Sequence, residues 1–311
     1  MVTLIAVSLP GLAALGALLF TWMQVGQASK ELRISEHGQI TSRFNNAINN
    51  LGSQSLDVRL GGIYALERIM QDSARDHPTV VSVLAAFAQR HAGSSTNSWK
   101  EPLADAAAHT PKADVSAAIA TLARRRPESD KGTVVNLSYS DLRGLRFTGQ
   151  AALRLPRVDL SGADLRYADL SYADLREADL PFAHLERALL QETNLREAFL
   201  VGANLAHAAL TEANLRGADM TPVVPEGTPG PALCTDLEYA YLDDVDLQNA
   251  RMSCVDLHGA TLMSADLRGA DLTRADLTNA DLTNADFRGA KLTDAKLNGA
   301  KRTGARGLPQ D

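Results

Sequence analysis

Seven histidines and two cysteines are the side chains of this 311-residue chain best suited to bind a metal or attack a substrate. A helical zinc site needs histidines three or four residues apart, and His77, His91 and His109 show no HxxxH or HExxH spacing. His184, His207 and His258 are isolated from one another in the second half. Cys234 and Cys254 are the only cysteines, which excludes a CxxC motif and a disulfide framework. No nucleophile stands with a His and an Asp, and no glycine loop is built to cradle phosphate. No catalytic residue, cofactor site or metal ligand is therefore expected, and the chain reads as no enzyme. What recurs instead is aspartate. "SADLRGADLTRADLTNADLTNADFRGA", residues 264–290, brings one carboxylate every five residues.

Those carboxylates belong to a wider imbalance. Residues 151–290 contain 23 Asp and Glu against 11 Lys and Arg, whereas residues 26–150 contain 12 against 15. An acidic array disfavours nucleic acid as a ligand, because phosphate contacts need Lys and Arg, but it permits mimicry of nucleic acid. Aromatics are 5 % of the chain and hydrophobic residues 45 %, so the interior must be built from Ala, Leu and Val.

The elements that position these residues fall into three segments: 1–28, 29–131 and 132–311. The uncharged run VTLIAVSLPGLAALGALLFTWM, Val2–Met23, is long enough to cross a hydrocarbon core of about 30 Å as a helix. Pro10-Gly11 is a candidate kink, and Trp22 sits where an interfacial aromatic is expected. Lys30, Arg33 and Arg43 follow the run and no cation precedes it, so the positive-inside rule places the rest of the chain in the cytoplasm. The expectation is a single-pass anchor in a bacterial inner membrane. A cleaved signal peptide, with Gly26-Gln27-Ala28 as its site, is the rival, but it would want a basic start and a shorter apolar run.

Helical spacing follows. Leu32, Ile40, Phe44, Ile48 and Leu51 precede a stop at Gly52; Val58, Ile63, Leu66, Ile69 and Met70 form a second apolar face. Asp76 and Pro78 start a third helix that stops at Gly93. Residues 93–112 read as a linker, and ADVSAAIATLARRRP as a fourth helix ended by Pro127. The run Arg124-Arg125-Arg126 suits a solvated helix end, where the helix dipole favours cations. A small helical bundle is expected.

From Leu155 to Met220, and again from Leu237 to Leu297, a large apolar residue falls at every fifth position, nearly always two residues after a small one. On an α-helix a step of five rotates about 140°, and on a strand it alternates faces, so neither element keeps these leucines inside. The chain must turn after each phrase, which makes a solenoid with coils about 4.8 Å apart. Leu137, Leu142 and Phe147 point to an earlier, less regular coil. The pattern resembles the pentapeptide-repeat family, whose phrase is A(D/N)LXX, from about Val135 to Ala300. The resemblance implies a mainly β chain: a right-handed quadrilateral β-helix with four phrases per coil, preceded here by the helical region and the transmembrane helix. Around LGSQSLDVRLGGIYALERI the chain also looks similar to membrane-anchored actinobacterial relatives. The family pattern carries no catalytic residues.

If a coil holds 20 residues, Asp246, Asp266 and Asp286 stack in one acidic column. Either they form a docking face, or each serves its own turn by accepting backbone N–H groups. Cys234 and Cys254 then lie on adjacent coils within disulfide range, thiols in a cytoplasm and a bridge if exported. Residues 221–236, TPVVPEGTPGPALCTD, break the phase and loop outward. Pro222, Pro225, Pro229 and Pro231 make that loop stiff and unable to pair as strand. With Glu226 at its tip it is either a binding loop or a tolerated insertion. The helical bundle can cover the first coil, and Lys291, Lys296 and Lys301 replace Asp near the other end, where they discourage strand addition.

The expected function is a non-enzymatic, membrane-tethered protein-interaction scaffold displaying an acidic β-helix in the cytoplasm. Its protein partners and oligomeric state are not written in the sequence. The alternative is a DNA mimic that binds gyrase or another topoisomerase and confers protection or resistance, as in the quinolone-resistance relatives. Those relatives lack an anchor and pair through an apolar C-terminal helix that the tail after Ala300 does not have.

Overall fold

The computed structural model describes residues 2–95, 109–146, 153–224 and 232–309, and within the first helix the side chains of 14, 17–27, 30 and 38 onward. Four α-helices precede the repeats: α1 (Val2–Leu51), α2 (Leu56–Asp72), α3 (His77–Ala92) and α4 (Ala113–Ala123). The membrane run and the helix expected after it are one unbroken 50-residue α1. It ends where expected, with Gly52 N–H donating to Asn49 O at 3.2 Å. Among the described residues no helix is long and apolar enough to cross a membrane. The anchor expected over residues 2–23 falls mostly on side chains outside the described set.

Ile63, Leu66, Leu84, Ile119 and Leu122 from α2, α3 and α4 are fully buried and form the bundle interior. α1 and α2 approach so closely at Gly62 that a Cβ there would lie 2.9 Å from Ala47 O. Two features depart from the sequence reading. α4 ends at Ala123, and of the three arginines after it Arg124 and Arg126 are exposed, as a solvated helix end requires, but Arg125 is not. Arg125 is buried and donates from Nε to Asp130 at 2.9 Å, while Arg124 donates to Glu67 at 2.7 Å. Nor is the segment after α3 a plain linker. Ser94 bridges Ser140 antiparallel, Ser95 N–H donates to Tyr139 O at 2.8 Å, and His109 lies 3.6 Å from Asp141. Both described ends of residues 93–112 are thus pinned to the first coil.

From Asn136 onward the chain is a β-helix. Parallel bridges join residues 20 apart, such as Asp246 to Asp266 and Asp266 to Asp286, with four bridging positions per coil. The four faces are centred on Leu247 and Leu267 (face 1), Met252 and Leu272 (face 2), Leu257 and Leu277 (face 3), and Leu262 and Leu282 (face 4). These leucines, and the alanines two residues before most of them, are buried. Each phrase closes on a turn in which the following Ala donates back to the Leu carbonyl, as Ala270 N to Leu267 O at 3.0 Å. The second residue after each Leu takes positive φ, 71° at Gly269 and 60° at Asn279, so Gly and Asn are favoured there. Where Thr193 and Thr235 replace the inward Ala, each hydroxyl donates to a carbonyl of the preceding coil, 2.8 and 2.7 Å away. The first coil is less regular: Asn136 bridges Asp159 and Arg146 bridges Asp169, at spacings of 23. Phe147 falls outside the described residues.

The helical bundle and the β-helix share one continuous apolar core. Gln89 of α3 donates to Asn136 and to Ser138 O, 3.1 and 2.9 Å away, seating the bundle on the first coil.

Candidate functional site

Asp246, Asp266 and Asp286 share a column on face 1, as the 20-residue period requires. Each accepts the N–H two residues on, from Gln248 at 3.0 Å, Arg268 at 3.2 Å and Arg288 at 3.1 Å. That is the turn role of an Asx side chain. The same carboxylates carry counter-charges. Arg268 forks onto Asp266 at 2.8 and 2.6 Å, and Arg288 onto Asp286 at 2.9 and 2.6 Å. The Arg288 hydrogen bonds hold the Asp286 carboxyl at about 2, and Arg268 likewise holds Asp266 below the usual carboxylate range. Gln248 spans two coils, donating from its amide to Asp266 at 2.8 Å. Arg176, Arg196, Arg216, Arg268 and Arg288 occupy the position after the central Leu all along face 1. Face 1 is therefore a ladder of alternating charge.

The inserted loop leaves the wall between faces 2 and 3. Its stem pairs, contrary to the expectation from its prolines: Val223 and Leu233 exchange backbone hydrogen bonds of 3.1 and 2.8 Å. Proline removes a donor only at its own position, and both paired residues retain theirs. Pro225, Glu226 and Pro229 fall outside the described residues; Pro222 enters the stem. Cys234 and Cys254 form a disulfide between neighbouring coils with Cα atoms 5.6 Å apart, so they are not the free thiols expected of a cytoplasmic wall. The bridge ties the foot of the loop to the coil above. The corner between faces 4 and 1, nearest the Asp column, lies two corners away from this one. The described foot of the loop therefore does not meet the column.

Two arrangements escaped the sequence reading. On face 4, Leu189, Tyr241 and Met263 are exposed large apolar side chains, 40 %, 52 % and 43 % accessible. Leu189 bridges to Ala209 and Ala209 to Tyr241, so Leu189 and Tyr241 share a column two coils apart; Met263 stands on the next coil, two residues beyond the Thr261 that bridges Tyr241. Glu192, Glu212 and Asp244 stand along the adjoining corner with face 1. The signal was present, since Leu189 and Tyr241 stand where the phrase has Asp. The second arrangement joins His207 and His258, which do not share a column, through Tyr239. The Tyr239 ring stacks on His207 at 5.3 Å and meets His258 edge-on at 5.6 Å. It lies over Gly259, where a Cβ would come within 2.4 Å of the ring. His184 lies apart, with Nδ1 3.6 Å from Glu186. Among the described residues no group of three His, Cys, Asp or Glu could hold a metal ion.

In the helical region His77 is buried, one ring nitrogen 3.2 Å from Met70 O and the other 2.9 Å from Asp130. Asp130 also receives Arg125, which reaches Arg154 O at the first regular phrase. This cluster fastens bundle to wall and leaves no ring nitrogen for a ligand.

Comparison with known proteins follows the same division. The model for pentapeptide repeats matches eight copies, over residues 152–180, 183–221, 234–269 and 270–305; the inserted loop falls in one of the gaps. Among solved structures, the chain is 35 % identical to HetL, a pentapeptide repeat protein involved in heterocyst differentiation regulation in the cyanobacterium Nostoc. That alignment covers 57 % of this chain and 87 % of HetL, with a TM-score of 0.24. A pentapeptide repeat protein of the Arabidopsis thaliana thylakoid lumen is 26 % identical over 41 % of this chain and 70 % of its own, with a TM-score of 0.21. QnrB1, a plasmid-mediated fluoroquinolone resistance protein, is 20 % identical over 49 % and 80 %, with a TM-score of 0.22. No curated protein matches. By its repeats, and by its identity to HetL over most of that protein's length, the chain belongs to the pentapeptide-repeat family.

Proposed function

We propose that the chain is a non-enzymatic protein-interaction scaffold of the actinobacterial, membrane-anchored type, displaying its β-helix from a membrane helix over residues 2–23. The observation that carries this reading is the exposed apolar patch of Leu189, Tyr241 and Met263 on face 4, which borders the acidic corner. An apolar patch bordered by Glu192, Glu212 and Asp244 suits a protein partner with apolar and cationic side chains. Asp246, Asp266 and Asp286 continue that surface round the corner. Pro222, Pro225, Glu226 and Pro229 form a separate candidate contact on the loop. The tether is supported by Leu18, Leu19, Phe20, Trp22, Met23 and Val25, all at least 60 % exposed and spread round α1. Lys30, Arg33 and Arg43 favour a cytoplasmic wall. The Cys234–Cys254 bridge favours the opposite side, where disulfides persist.

Affinity capture from gently solubilised native membranes tests the scaffold, comparing the natural chain with Tyr241→Lys and with a deletion of 221–236. A protein partner lost with Tyr241→Lys supports the face 4 reading. Gyrase or topoisomerase subunits lost on deleting the loop would replace it with the DNA-mimic alternative. Capture unchanged by either variant sinks both. Protease digestion of intact spheroplasts decides the side: a protected wall is cytoplasmic, and a digested one is exported.

A further inference from the structure

A cleft of about 790 Å³ opens among the helices, away from every surface of the β-helix considered above. Its floor is apolar: Leu51 and Phe87 are buried, and Ile48 and Val83 are half-buried beside them. Its rim carries the cations Arg59, Arg90 and Lys112, with the His91 ring beside them. Among the described residues the sole carboxylate lining the cleft, Asp114, is fully buried and already engaged. It takes Arg59 Nε at 2.6 Å and accepts Val115 N–H at 3.0 Å. Arg59 is equally committed, since its Nη1 donates to Ser53 O and Gln54 O at 3.0 and 2.9 Å. Arg90 is exposed, and among the described residues no carboxylate pairs with it or with Lys112, whose Nζ donates to His91 O at 3.1 Å. The His91 ring stacks on Phe87 at 4.0 Å, so the polar rim and the apolar floor meet at this pair.

Small-molecule sites are typically about 300–1,000 Å³, mostly apolar, with few polar groups that fix orientation. This cleft has that size and that division, and among the described residues its uncommitted charges, Arg90 and Lys112, are of one sign. We propose that it binds a small anionic amphiphile, an aliphatic body seated on Leu51, Val83 and Phe87 with a carboxylate or phosphate monoester held by Arg90 and Lys112. Ligand occupancy would then be sensed by the bundle seated on the first coil, through Gln89 on the same helix as Phe87 and Arg90.

The test uses the full-length protein in phosphatidylcholine nanodiscs, titrated calorimetrically with decanoate, decyl phosphate and decanol, with empty nanodiscs as the reference. Either anion is expected to bind at least about tenfold more tightly than decanol, the scale of one charge-assisted hydrogen bond. The tighter of the two identifies the head group. Ala86→Trp, which fills the cleft from an exposed wall position, and Arg90→Glu are each expected to weaken binding about tenfold or more on the same scale, with an unchanged urea midpoint. Binding that is indifferent to both variants, decanol binding equal to that of both anions, or no heat above empty nanodiscs would overturn the proposal.

Discussion

In the helical region Arg59 reaches Asp114 across 55 residues, and His77 reaches Asp130 across 53. In the β-helix Arg268 reaches Asp266 two residues away, and Lys296 reaches Asp276 exactly one coil, 20 residues, away. Both regions neutralise charge by pairing, and both join one apolar core. They differ in redundancy. Each long-range pair among the helices is a single fastening between elements that nothing else in the sequence anticipates. Each pair on the wall is one copy of a motif that the neighbouring coils repeat. Damage to the first kind should therefore spread, and damage to the second should stay local.

The largest effect tests the part of the wall that is not redundant, its interior. Leu257→Ala removes a fully buried side chain in mid-array and is expected to cost about 3–4 kcal/mol in urea unfolding. A cost below about 1 kcal/mol would mean the coils collapse around the gap more freely than close packing allows. Next comes Arg125→Met, which strips Asp130 of a buried partner and should cost about 3 kcal/mol, with the helical signal lost before the strand signal. Simultaneous loss of both signals would show that the two regions unfold as one and would erase the contrast. Cys254→Ser should cost about 2 kcal/mol by freeing the chain between adjacent coils, measured against the natural protein under non-reducing conditions.

The smallest effects lie on the outer ladder. Arg288→Ala should raise the Asp286 carboxyl towards the ordinary range in an NMR titration while leaving the urea midpoint almost unchanged. The pH dependence has a definite sign. Asp286, held by Arg288, titrates at about 2. Asp276 also lies at about 2, where burial opposes but Thr278 and Lys296 prevail. The unfolded chain takes up these protons first, near about pH 4, so their stabilisation is present above pH 4 and is lost between about 4 and 2. Because the partners Arg288 and Lys296 are exposed and screened by solvent, the midpoint should move only slightly across that window. A large fall already at pH 6 would point to other groups.

The inward positions of the wall were legible because an odd period leaves a leucine only one way to stay dry, and repetition removes ambiguity. The Asp column was legible for the same reason, as was the proximity of Cys234 and Cys254. The counter-charges on that column were not drawn out, although Arg268 and Arg288 stand two residues after Asp266 and Asp286. The sequence reading followed one position of the phrase and left the next one unexamined. The stem pairing of Val223 with Leu233 was hidden by counting prolines rather than asking which residues keep a donor. Among the helices, period revealed the buried faces. It could not reveal that His77, Arg125 and Asp130 converge, because nothing local couples residues so far apart in the chain.

The end of the wall has a consequence for growth. In the last coil Lys291, Lys296 and Lys301 occupy the bridging position and reach back to Asp271, Asp276 and Asp281 at 3.4, 2.9 and 3.1 Å. Each lysine reads only the coil immediately before it. The terminus is thus independent of how many coils precede it, and duplication of any interior 20-residue unit would lengthen the rod while leaving its finish intact. Length becomes a heritable quantity that can change in whole steps, and the area offered to a partner would scale with the number of coils rather than with the invention of new residues.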